Sequence, residues 1–63
     1  MSQPDWEWTD IFGDTLTVEA AGYDLILSIA RKGESATNAV SLSLEQQCGL
    51  RAALGVHIRR CGQ

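Results

Sequence analysis

Three residues carry the soft or borderline ligand atoms of this 63-residue chain: Cys48, His57 and Cys61. Their spacing contains no CxxC or HxxxH pair to prearrange two ligands, so no zinc site and no cofactor is expected. A nucleophilic Cys48 paired with His57 needs an activating environment, and a helix that buries Cys48 in a core or an interface supplies none. Asp5, Glu7, Asp10, Asp14, Glu19 and Asp24 are numerous enough for a carboxylate pair doing general acid and base work. Spread over the solvent faces of strands, however, they read as solubilising charge. No glycine-rich phosphate loop, nucleophile elbow or metal signature occurs, and the expectation is a protein that is not an enzyme.

Binding chemistry is better represented. Arg31, Lys32, Arg59 and Arg60 are candidate phosphate contacts, and with Trp6, Trp8 and Tyr23 they form the ingredients of a surface for single-stranded nucleic acid. The acidic isoelectric point of about 4.7 opposes that use. Trp6, Trp8 and Phe12 are candidate partner-binding anchors, because tryptophan is enriched at the energetic centres of interfaces. The same rings also suit a plainer task, covering an apolar sheet, and that reading is preferred.

Charge is unevenly distributed. Residues 1–30 hold six acids and no Lys or Arg, a charge of −6, whereas residues 31–63 hold five bases and two acids, a charge of +3. Such asymmetry either joins the two halves within one fold or steers contacts with another molecule.

Apolar periodicity identifies the elements that carry these groups. Residues 1–4 read as a loose N-terminus. Residues 5–9 alternate polar and aromatic, as a short strand with both tryptophans on one face would. Thr15 to Ala20 places Leu16, Val18 and Ala20 on one side, and Tyr23 to Ala30 places Tyr23, Leu25, Leu27 and Ile29 on one side. A two-residue turn at Ala21 and Gly22 would set Ala20 opposite Tyr23 and bring both apolar rows onto the same face. Residues 31–38 contain no large apolar residue and form a solvated loop, after which Val40 and Leu42 resume the alternation.

At Ser43 the period changes from two to about three and a half. Ser43 with Gln46 three residues later matches a capping box, and Glu45 suits the positive end of the helix dipole. The helix is expected over residues 44–54, with Gly55 marking its end and residues 55–63 as a tail. Gln46, Leu50, Ala53 and Leu54 share one side, whereas Leu44, Cys48 and Ala52 form a second apolar stripe, the candidate dimer interface. A helix is about 10 Å across and four strands span nearly 20 Å, so one helix leaves part of the sheet bare.

The expected fold is a single α+β domain: an antiparallel meander of three to four strands over residues 5–43, then one C-terminal α-helix. Composition, with 44% hydrophobic and 21% charged residues, is that of a globular chain. No apolar run is long enough for a membrane span and the start lacks the features of a secretory signal, so a cytoplasmic location with reduced cysteines is expected.

The pattern VxLxxEQxxxLRxxL, made by Val40, Leu42, Glu45, Gln46, Leu50, Arg51 and Leu54, resembles the strand-to-helix ending of small uncharacterised proteins from actinobacteria and their phages. The tryptophan-containing start followed by GDTLTVEAAG has the same character. The segment also resembles the single-stranded DNA-binding domain of the positive-cofactor transcriptional coactivators, in which a sheet passes through an EQ-containing turn into one helix and dimerises. These resemblances imply a small homodimeric, non-catalytic interaction module that binds a protein, as a phage-encoded or phage-derived factor acting on a bacterial host protein does. The second implies a single-stranded nucleic acid binding or transcription-regulating dimer.

Overall fold

A computed structural model describes residues 3–62. Four strands, β1 (Trp6–Thr9), β2 (Thr15–Ala21), β3 (Asp24–Ala30) and β4 (Thr37–Leu42), form one antiparallel sheet in the order β1-β2-β3-β4, followed by the helix α1 (Leu44–Arg60). The α+β meander with a C-terminal helix expected from the sequence is the fold observed. Half of the expected loose terminus, residues 1 and 2, and the last residue of the expected tail, Gln63, lie outside the described residues.

The loops are set by short polar side chains and glycine. Asp10 organises the β1–β2 connection: its Oδ1 accepts from the backbone N–H of Phe12 at 2.9 Å and of Asp14 at 3.0 Å. Gly13 sits there at φ +88°, a conformation that costs other residues about 1–2 kcal/mol. Just before β1, the Asp5 carboxylate accepts the N–H of Ala20 at 2.7 Å, extending the pairing of β2 by one bond.

The β2–β3 turn differs from expectation by one position. Ala21 pairs with Asp24 and Ala20 with Leu25, so Gly22 and Tyr23 occupy the turn. Gly22 has φ +65° and Tyr23 has negative φ, the signature of a II′ hairpin with glycine in its first central position. Relative to the expected pairing the register moves by two residues, which preserves every side-chain face. The fourth strand starts at Thr37, inside the segment read as loop, because Ile29 and Ala30 pair with Asn38 and Thr37.

The helix begins where the capping box puts it. Ser43 donates its backbone N–H to Gln46 Oε1 at 3.1 Å, and its hydroxyl pairs with the same oxygen. It does not end at Gly55. Helical geometry continues through Arg60 and stops at Cys61 and Gly62, where Gly62 takes φ +94° and its N–H reaches Arg59 O. A mid-helix glycine costs only about 1 kcal/mol, which the five further residues of hydrogen-bonded helix, Val56–Arg60, overcome. The expected tail is thus largely helix, and it brings Val56 and Ile58 onto the helix surface.

No described residue is fully buried. The chain presents 5394 Å² of accessible surface, against about 4,000 Å² for a folded monomer of this mass. Its radius of gyration is 13.4 Å, against about 11 Å for a compact domain of this length. With extents of 35 × 31 × 17 Å, the molecule is a slab with its helix set along one end.

Candidate docking face

Strand register assembles the apolar residues into three rows crossing the sheet. Trp8, Leu16 and Ile29 form the first, Trp6, Val18, Leu27 and Val40 the second, and Ala20, Leu25 and Leu42 the third. The reverse side is mostly polar, with Ile26 its one large apolar residue: Glu7, Thr17 and Ser28 make one row, and the Thr9 and Thr15 hydroxyls bond at 2.9 Å. One-sided burial is what such alternation encodes. Here the apolar side is open, with Trp8 55% and Val40 56% exposed.

The helix meets this face only at its third row. Gln47 Nε2 donates to Tyr23 O at 2.8 Å and to Leu42 O at 3.0 Å, tying the first turns of α1 to the β2–β3 turn and the end of β4. Beyond that tie a groove of about 410 Å³ separates Leu25 from Leu50, Leu54 and Ile58. At the far end of the sheet, Trp8, Leu16 and Ile29 line a shallow depression of about 270 Å³ rimmed by Asp10 and Asp14.

The other side of α1 carries a third depression, of about 380 Å³, lined by Cys48, Arg51, Ala52, Gly55, Val56 and Arg59. The expected stripe of Leu44, Cys48 and Ala52 therefore exists, and Val56 extends it by one turn. Leu44 is 56% exposed, so the stripe has no cover within the chain. A surface helix with apolar residues on two sides is unusual, since solvent is expected to claim one of them.

Trp6 and Trp8 do not fold over the sheet, as the preferred sequence reading had it. They are members of its edge strand and widen the apolar face they were expected to cover. Phe12 lies apart from them, on the β1–β2 loop, and is 71% exposed.

The four candidate phosphate contacts fall on two elements. Arg31 Nε lies 3.5 Å from Asp14 Oδ2, and the Lys32 backbone N–H donates to Asp14 Oδ1 at 2.9 Å. The Lys32 side chain runs over Gly13, where an added Cβ would come within 2.7 Å of its Cδ. One carboxylate thus engages the basic loop on both residues. Arg59 and Arg60 occupy the last turn of α1, where they complement the helix dipole. The charge asymmetry is satisfied internally in one place, since Arg31–Asp14 is the one salt bridge among the described residues.

Cys48 and Cys61 are both free. Cys61 Sγ lies 3.6 Å from His57 Nε2, one helical turn away, and Cys48 is not part of that contact. Among the described residues no three His, Cys, Asp or Glu side chains gather around a common point. Sequence reasoning missed Val56 and Ile58 as members of the two helix stripes. Their signal was present, each following an apolar residue of its stripe by four positions, and the assumption of a helix end at Gly55 hid it.

Comparison with known protein families, curated proteins and solved structures finds no match for this chain. No described helix is long and apolar enough to cross a membrane.

Proposed function

We propose that the protein is a non-catalytic interaction module that docks protein on the open apolar face of its sheet. The observation that carries this reading is the face itself: three ladder rows of apolar side chains, two tryptophans among them, standing open on a chain in which no described residue is buried. Exposed apolar patches of that extent mark interaction surfaces, and buried tryptophans are the usual centres of their binding energy. The three rows of the face also contain no charged residue, which suits a protein surface better than a small polar ligand.

Nucleic acid binding is the competing reading, and Asp14 weakens it by holding Arg31 and the Lys32 backbone. A photoreactive amino acid at Ile29, on the face, and in a second variant at Thr17, on the reverse side, separates these in cells that make the protein. The expected result is protein adducts from position 29 and few from position 17. Adducts to nucleic acid, or no protein adduct from position 29, overturn the reading.

A further inference from the structure

We propose that the occupant of the open face is a second copy of this chain, arranged so that two helices form a shared middle layer between two sheets. This rests on the docking reading above and names the partner.

Four strands at about 4.8 Å spacing make a sheet nearly 20 Å wide, and a helix covers about 10 Å. One helix can cover at most about half of such a sheet, and two can cover it. Each chain brings one sheet and one helix, so both sheets are covered only when each helix serves both. That demands a helix with two apolar sides, and α1 has them. Gln47, Leu50, Leu54 and Ile58 form the stripe on the side of its own sheet. Leu44, Cys48, Ala52 and Val56, roughly 130° around the helix, form the stripe left for the partner's sheet. A helix in a single-sheet monomer has no use for the second stripe, and a chain docking an unrelated protein has no need of this match.

Area and charge agree with a two-fold assembly. The surface in excess of that of a compact monomer, about 1,400 Å² per chain, exceeds the roughly 800 Å² per partner of a standard interface and falls within the obligate homodimer range. The far depression of the sheet, around Trp8, Leu16 and Ile29, is rimmed by Asp10, which has no salt-bridge partner among the described residues, and by Asp14, which Arg31 already engages. The second stripe of the helix is rimmed by Arg59 and by Arg51, which also borders the groove against the chain's own sheet; neither has a salt-bridge partner among the described residues. A two-fold axis brings the same complementary patches together twice.

The test uses the full chain. Sedimentation equilibrium is expected to give twice the 6.9 kDa of one chain. A photoreactive residue at Ala52, in a mixture of isotopically light and heavy chains, is expected to form light-to-heavy crosslinks into β1–β3. Cys48 is expected to react with a maleimide roughly tenfold or more slowly than Cys61, because a covered thiol is inert, and to match it after dilution to monomer. Ala52→Arg is expected to dissociate the assembly, whereas Ala53→Arg leaves it intact: the sequence grouped Ala53 with Leu50 and Leu54, but it lines neither depression and sits between the two stripes on the outer side of the helix. A monomer at high concentration, or crosslinks from position 52 only to the partner's helix or strand edges, overturns the arrangement. A monomer that still forms adducts with other proteins from position 29 overturns the second copy and leaves the docking reading standing.

Discussion

Gln47 is the side chain whose hydrogen bonds attach the helix to the sheet. Its amide gives two donors to carbonyls of the sheet end, Tyr23 in the β2–β3 turn and Leu42 at the close of β4. Gln47→Ala is expected to cost about 1–2 kcal/mol, the usual loss for a pair of partly exposed hydrogen bonds, read by urea unfolding at fixed protein concentration. Gln47→Glu keeps the length but offers acceptors where donors are needed, so it is expected to rescue nothing. If either variant matches the parent, α1 is held by something other than this tie. The Arg31–Asp14 pair sets the opposite scale. The arginine side chain is 63% exposed and the separation is 3.5 Å, so Arg31→Ala is expected to shift stability by no more than about 0.5 kcal/mol, less at high salt.

Among the elements, α1 carries the clearest engineering signal. Gly49 is helical and nothing lies within 4 Å of the position its Cβ would take. Gly49→Ala is therefore expected to stabilise the protein by about 0.5–1 kcal/mol, measured as a rise in thermal midpoint. An unchanged or lowered midpoint would mean that this side of the helix is already in contact with something. The strands were legible because alternation with period two survives wherever one sheet face is apolar, and the helix start was legible because Ser43 and Gln46 form a cap of known spacing. Two local details were not. Glycine serves equally in either half of a tight turn, so Gly22 fixed the neighbourhood of the β2–β3 turn and left its register open by two residues. Glycine also both interrupts and terminates helices; only the left-handed conformation of Gly62 distinguishes the terminator from Gly55, and a backbone angle is not visible in composition. The docking face was half legible: its residues were identified as a row, but the expectation that tryptophan would cover them depended on packing between layers, which periodicity along one chain does not encode.

For the whole molecule the governing fact is surface. A 63-residue chain has little stability to spare, and this one by itself completely buries none of its described residues. Its unfolding midpoint is therefore expected to rise with protein concentration, as mass action requires when association stabilises the folded form. A midpoint constant over a hundredfold range of concentration would show that the slab stands alone. Opposite charge on the sheet and helix halves further predicts association that slows as salt is added, with the dissociation rate less affected. Measuring 17 Å across its thinnest direction, a lone chain keeps the amides of β2 and β3 no more than one layer of side chains from water. Deuterium from the solvent is then opposed only by the slab's own small opening energy, whereas a covered sheet must first lose its cover. The exchange rates of the two inner strands become a gauge, built into the backbone, of the fraction of time each chain spends by itself.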